Sequence, residues 1–263
     1  MSVGLEQADR TMEIARAFVT ARAAGTALPA YPGTAPERLD AAYAVQDAAI
    51  ALADRPVAGW KVGRINPPRE GADRLAGPIF ADQVSHGDAP AMPVFGDGFA
   101  AAEAEFLLRI GTAPDPARRS YTPADAAALI AAVHVGIEIA SSPFPGINDH
   151  GPAVTVSDFG NNNGLVVGAP VPDWRALDLT AWAVELDVNG ERIGAETGAA
   201  IPGGPFAAAA FLFEHMAARG VRLEAGQWIS TGAVTGVHRV AVGDAVEANF
   251  DGRLSVRCTI SAH

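Results

Sequence analysis

The sequence predicts an α+β fold, with a helical N-terminal region ahead of a β-rich core. Three observations carry this. The first 55 residues place apolar side chains at three- and four-residue steps, the spacing of one helix face. From residue 57 the apolar residues fall mostly into short runs bounded by Gly, Pro, Asn-Gly or Asp-Gly. The 28 glycines and 19 prolines among 263 residues call for many turns.

In chain order, residues 5–24 read as a helix whose stripe is Leu5, Ala8, Met12, Ala15, Val19 and Ala23. Residues 25–33 are a Pro/Gly-rich link. A second helix is expected from Thr34, where Thr34 and Glu37 have capping-box spacing and Pro36 suits the first turn. Leu39, Tyr43, Ile50 and Leu52 supply its apolar face. Val57–Gly63 reads as a short strand, 64–76 as a polar loop, and Gly77–Asp82 as a strand ending in an acid. A loop over 86–98 leads into the apolar run around Glu103. Another over 111–121 leads to a helix capped by Thr122, with Pro123 at its first position. Val135–Ala140 is a strand. Residues 141–164 are the least regular stretch, closed by the strand Leu165–Gly168. Trp182–Asp187 and Glu191–Ala195 form a hairpin about Asn189-Gly190. A helix over 205–219 stops at Gly220. Short strands follow at Trp228–Ser230, Val237–Val242, Ala245–Phe250 and Leu254–Ile260, the last two joined at Asp251-Gly252. Residues 1–70 are thus read as a helical region packed on a catalytic core of 71–263, in one structural domain.

The bulk numbers exclude several classes. A net charge of −11 argues against nucleic acid or an anionic membrane as partner. The single cysteine, Cys258, allows no disulfide framework within one chain. No run of about 18 apolar residues is present to span a membrane, and the first ten residues lack a signal-peptide pattern. A soluble, cytoplasmic protein is expected, and its apolar strands and surface helices imply a homo-oligomer.

The chemistry centres on Ala101-Ala-Glu103-Ala-Glu105-Phe-Leu-Leu-Arg109. In a strand, side chains alternate faces, so Glu103 and Glu105 share one face with Cβ atoms roughly 6–7 Å apart. Ala102, Ala104 and Phe106 then face a core. Glu138 stands opposite Val135, Ile137 and Ile139 in the same way. Three carboxylates converging in apolar surroundings repel one another unless a cation joins them. Oxygen-only ligands select a hard ion, Mg²⁺ or Mn²⁺ before Zn²⁺. Lys61, between Trp60 and Val62, is either a strand residue pointing to water or a desolvated functional amine. Glycines in Ser230–Gly236 would let backbone N–H groups approach an anion closely, or form a bare turn.

Several segments then match one family in order: Gly59-Trp-Lys-Val-Gly63, Gly77-Pro-Ile-Phe80, Glu103-Ala-Glu105, Gly136-Ile-Glu138, Asp158 to Asn163-Gly-Leu-Val-Val-Gly168, and Ser230-Thr-Gly232. With the N-terminal helices, the chain resembles the 2-keto-4-pentenoate hydratases of the fumarylacetoacetate hydrolase superfamily from about residue 10 to its end. The resemblance implies a mixed β-roll core of the fumarylacetoacetate hydrolase C-terminal type behind the helical region. It implies Mg²⁺ or Mn²⁺ on Glu103, Glu105 and Glu138, with Lys61 and Asp82 as proton-transfer or charge-placing groups. His150 is a third candidate proton carrier, and Asn163, Ser230, Thr231 and Gly232 are candidate substrate contacts. Glu at the third ligand position resembles the hydratase and decarboxylase branch rather than the C–C hydrolases. The chain departs from that branch at Ala140–Phe144 and in its Asn run 161–163.

The implied substrate is a 2-hydroxy-2,4-dienoate, hydrated to a 4-hydroxy-2-oxo acid in breakdown of aromatic-type compounds. Decarboxylation of a 2-oxo-dioic acid, C–C hydrolysis of an acylpyruvate, and a catalytically silent subunit of the same fold are the alternatives, in that order.

Overall fold

The alternating runs assemble into two sheets with helices at one flank. The computed structural model describes the backbone of residues 2–69 and 71–263, and the side chains of residues 6–69 and 71–263. In chain order the elements are α1 (Ser2–Ala24), α2 (Leu39–Ala53), β1 (Val57–Arg69), β2 (Ala72–Phe80), β3 (Val84–Ser85), β4 (Ala91–Val94) and β5 (Phe99–Ile110). Then come α3 (Pro123–Ala128), β6 (Ile130–Ser142), α4 (Pro152–Ser157), β7 (Asn162–Pro170), β8 (Ala183–Val188) and β9 (Glu191–Thr197). The chain ends with α5 (Pro205–Arg219), β10 (Trp228–Ser230), β11 (His238–Arg239), β12 (Ala245–Phe250) and β13 (Leu254–Ala262).

The larger sheet runs β2-β1-β10-β5-β6-β7-β3, with β11 also on β5; the smaller runs β4-β13-β12-β8-β9. Pairing is mixed: β1 with β10, β3 with β7 and β4 with β13 are parallel, and the other pairs antiparallel. The main core lies between the sheets. Ala102, Ala104 and Phe106 from β5 and Val135, Ile137 and Ile139 from β6 meet Val246, Ala248 and Phe250 from β12. Phe106 stands edge-on to Phe250 at 5.3 Å between ring centroids. Burying each such ring contributes about 1.5–3 kcal/mol. A second cluster, holding Phe18, Phe80, Phe144 and Phe159, fastens α1 to the sheet.

Several elements differ from the sequence reading, each for a physical reason. The stripe that α1 buries is Ile14, Ala15, Phe18 and Ala21; Met12 is 38% exposed, and the side chain of Leu5 lies outside the described residues. The second helix starts at Leu39, not Thr34, and no side chain caps its N-terminus. Pro36 disfavours helix at Ala35, and Ala35 and Tyr31 instead pack on the second cluster. Residues 64–76 are not a loop but the arms of a β1–β2 hairpin, which bury Ile65 and Leu75 against Tyr43 and Val156. The loop expected over 86–98 contains β4, which pairs with β13 and buries Met92 and Val94. The 141–164 stretch contains α4. The run Val237–Val242 shrinks to β11, with Val237 and Val242 half exposed.

Other signals hold as read. Thr122 and Asp125 close a reciprocal cap on α3, and Asn189-Gly190 and Asp251-Gly252 turn with positive φ. Helix α5 spans Pro205–Arg219 and ends on Gly220 in the left-handed region.

Candidate active site

The cluster arises from register. Glu103 of β5 faces Glu138 of β6 directly across the ladder, and Glu105 follows two residues on. One oxygen from each of the three carboxylates lies within 4.8 Å of the others. Glu105 and Glu138 are fully buried and Glu103 is 5% exposed. The curl of the sheet completes the site. Lys61 on β1 is separated from Glu138 on β6 by β10 and β5, about 14 Å in a flat sheet. Yet Lys61 Nζ lies 3.2 Å from Glu138 Oε1, because the sheet rolls its concave face inward. Lys61, the chain's only lysine, is 5% exposed. The desolvated amine, not the solvated strand residue, is therefore the reading that holds.

The electrostatics follow from three negative charges and one positive in a dry place. Burial pushes Glu103 up to about 7, against the pull of Lys61 and with repulsion from Glu138. Burial pushes Glu105 well above the usual carboxylate range, and Glu138 and Glu103 push it further. Burial pulls Lys61 down, but the three carboxylates outweigh it and raise the amine above its ordinary value. Hydrogen bonds cover only part of the deficit. Glu105 Oε2 accepts from Ser230 Oγ at 2.5 Å and from Gly232 N–H at 2.8 Å. Glu138 Oε1 accepts from Asn162 Nδ2 at 2.9 Å. Glu105 Oε1 and Glu138 Oε2 are buried with no partner. An excess of negative charge, two orphaned carboxylate oxygens and an all-oxygen donor set fit a hard divalent cation, Mg²⁺ or Mn²⁺, and Glu103, Glu105 and Glu138 would hold it.

A cavity of about 1040 Å³ opens in front of the cluster. Lys61 and Glu103 lie in its wall, with Asn161, Thr155 and Thr235 around them.

Other expected site residues lie elsewhere. Asp82 is not in this cavity. It sits in the turn after β2, 65% exposed, and accepts from Arg55 Nε at 3.1 Å on the outer surface. Its strand stops at Phe80, so the alternation that aims Lys61 inward does not extend to it. His150 is exposed and its ring stacks on Phe144, 5.7 Å between centroids, while its neighbours Asp149 and Gly151 line the cavity. Asn163 turns away from the carboxylates: it donates to Pro93 O and accepts from Arg22 Nη1 at 2.9 Å. Its neighbour Asn162 makes the contact to Glu138 instead. The glycine-rich turn does bring N–H groups to an anion, but the anion is Glu105 itself. Gly232 can do so at φ +114°, where a side chain would be strained. Ser230 serves the same carboxylate, and Thr231 Oγ1 donates to Phe106 O.

Sequence reasoning also missed the support behind the site. Arg22 of α1 is 6% exposed and donates from Nε and Nη2 to the buried Asp158 carboxylate at 2.6 and 2.8 Å. It reaches Ser141 O at 3.0 Å as well. Ser142 Oγ donates to Asp158 at 2.6 Å. This fastens the turn that carries Asn161 and Asn162. Gly77 lets the turn seat on β2, since a Cβ there would lie 2.1 Å from Phe159 O. No sequence period marks Arg22; it lies on the stripe that α1 buries, where a charge is rare unless paired.

No protein-family model matches the chain. It is 32% identical over 211 residues to a 2-keto-4-pentenoate hydratase from Burkholderia vietnamiensis (strain G4 / LMG 22486), an alignment covering 78% of each chain. It is 33% identical over 101 residues to a 4-oxalocrotonate decarboxylase from Pseudomonas sp. (strain CF600), 38% of each chain. Among solved structures it superposes, with a TM-score of 0.80, on 4-oxalocrotonate decarboxylase from Pseudomonas putida G7 complexed with magnesium and adipate. That match is 21% identical and covers 96% of this chain and 97% of the other, a likeness of fold. The fold expected from the sequence is therefore the one found, a mixed, curled-sheet core with an N-terminal helical region. On its identity to the Burkholderia enzyme across more than two thirds of both chains, the protein belongs to the 2-keto-4-pentenoate hydratase family.

Proposed function

We propose that the protein is a divalent-metal-dependent hydro-lyase that adds water to a 2-hydroxy-2,4-dienoate, giving a 4-hydroxy-2-oxo acid, in catabolism of aromatic-type compounds. One observation carries the reading beyond family membership: a buried carboxylate triad with two unpartnered oxygens and a charged amine beside it, at the base of an open cavity.

Glu103, Glu105 and Glu138 hold Mg²⁺ or Mn²⁺, which when bound supplies Lewis-acid stabilisation of charge on the substrate's 2-oxygen. Lys61 keeps a proton on Nζ because the carboxylates raise its affinity for it. It is the group placed to pass that proton to carbon 5 of the dienolate. Water then adds across the carbon 3–carbon 4 double bond of the resulting enone, its oxygen to carbon 4 and a proton to carbon 3, while the proton lost from the 2-hydroxyl restores the Lys61 ammonium. Asn161 Oδ1 and Thr235 Oγ1 are buried without partners among the described residues and both residues line the same cavity, so they are the acceptors available to orient that water. Ser230, Gly232 and Asn162 position the carboxylates.

We further propose that the protein works in the cytoplasm as a homo-oligomer; among the described residues no helix is long and apolar enough to cross a membrane. Decarboxylation of a 2-oxo-dioic acid is the second reading, supported by the match to the Pseudomonas decarboxylase.

The test is a panel of enolic 2-oxo acids with Mg²⁺, following dienoate absorbance, CO₂ and carbon fragments together. Hydration removes the absorbance without CO₂, and EDTA abolishes it. Release of CO₂ selects the decarboxylase, two carbon fragments select a hydrolase, and no turnover of any member rejects the enzyme.

A further inference from the structure

The cavity is larger than a five-carbon acid needs, since about 1040 Å³ lies at the top of the range for drug-sized ligands. Its charges are also unlike those of the rest of the chain. Besides Lys61 and Glu103, its wall carries Arg64, Arg69 and Arg239, against two carboxylates, Asp149 and Glu196. Elsewhere most arginines are paired: the net charge is −11, and, among the described residues, ten of the fifteen arginines outside the cavity wall sit in ion pairs. Among the described residues, no carboxylate lies within 4.0 Å of Arg64, Arg69 or Arg239.

Their placement comes from the fold. Arg64 and Arg69 are carried by the far half of β1, three and eight residues beyond Lys61. Arg239 is on β11, paired with Ala101 two residues before Glu103, and its guanidinium lies 4.0 Å over the Phe99 ring. That ring and the short strand hold the planar group at the cavity while leaving its N–H donors free.

We propose that the substrate carries a second anionic group, a carboxylate, at the end remote from its 2-oxo acid head, and that Arg64, Arg69 and Arg239 select it. This rests on the hydratase reading, and narrows it to dioic substrates. An apolar tail would leave three guanidiniums facing the cavity with nothing to bind. A carboxylate would accept charge-assisted hydrogen bonds from them, and the positive rim would draw a dianion into a chain that otherwise repels it.

Calorimetric titration with Mg²⁺ present separates the possibilities, using 2-oxoadipate against 2-oxohexanoate, which has the same length without the second carboxylate. Wild type should bind 2-oxoadipate at least about 10-fold more tightly, the scale of one hydrogen bond to a charged group. Arg239→Gln and Arg64→Gln should each shrink that ratio several-fold. Arg222→Gln, outside the cavity, should leave it unchanged. Equal affinity for the two acids in wild type, or a ratio that neither cavity variant alters, overturns the proposal while leaving the 2-oxo acid site standing. Binding of neither acid overturns the hydratase reading and the proposal with it.

Discussion

Two buried charge clusters flank the turn from Asp158 to Asn163, and they are built on opposite principles. On one side Arg22 and Asp158 balance, +1 against −1, and the Asp158 carboxylate accepts from both arginine nitrogens and from Ser142. On the other, three carboxylates share one lysine, and two of their oxygens are left without partners. Both are equally dry. A satisfied buried pair fixes chain segments to each other; an unsatisfied one stores a demand for a ligand. The first is mortar between α1 and the site, and the second is the site.

The largest effect should come from the amine. Lys61→Met should lower turnover by roughly 10²–10⁴-fold, the scale of a positioned proton carrier. Its melting temperature in EDTA should fall, because the triad loses its cation, and Mg²⁺ should still raise it. Turnover within a factor of a few of wild type would make the lysine mortar too. In the balanced cluster the cost should appear as stability. Arg22→Met strands the Asp158 charge and should lose about 3–5 kcal/mol in urea unfolding. A loss under about 1 kcal/mol would show that the pair does not bind α1 to the site.

Smaller effects sharpen the contrast. Ser230→Ala removes one of two donors to Glu105 Oε2 and should weaken Mg²⁺ binding by about 10–100-fold in titration, the range for a residue that orients a ligand. Unchanged affinity would mean that Gly232 N–H alone holds the carboxylate. Asp82→Asn, in an exposed pair, should change stability by less than about 1 kcal/mol and leave turnover as in wild type. A large fall in turnover would return Asp82 to the catalytic set.

The unsatisfied cluster was the more legible of the two in the sequence. Glu103, Glu105 and Glu138 lie mid-strand, where period two fixes the face of each side chain, and Lys61 sits in a recognisable strand motif. Parity fails where strands begin or end. The chain enters β7 through a turn in which Phe159, Gly160 and Asn161 all have positive φ, so counting along the run could not tell Asn162 from Asn163. Asp82 lies just beyond the end of β2 and escapes the strand's alternation. The Arg22–Asp158 pair spans 136 residues, and no local pattern encodes a partner that far away. The capping pattern at Thr34 misled because tertiary packing of Tyr31 and Ala35 outweighed it.

Titration exposes the same asymmetry. Glu103, at about 7, and Glu105 are both raised above their ordinary value of 4.5, chiefly by burial. Raised carboxyls stabilise the fold while protonated, fully so below about pH 4.5, and that contribution is lost as pH rises through 7. In EDTA the melting temperature should therefore fall between pH 5 and pH 8, and the increment given by Mg²⁺ should grow over the same range.

The most direct measurement of the central claim is the melting temperature of wild type and Glu105→Gln at pH 8, each in EDTA and in millimolar Mg²⁺. Mg²⁺ binds the native state selectively and should raise wild type by several degrees. Glu105→Gln should lose that increment, yet in EDTA it should melt no lower than wild type, because a neutral amide replaces the buried carboxyl whose ionisation burial and its two neighbours oppose. An unchanged Mg²⁺ increment in Glu105→Gln, or none in wild type, would contradict the account and leave the three carboxylates an unexplained cost of the fold.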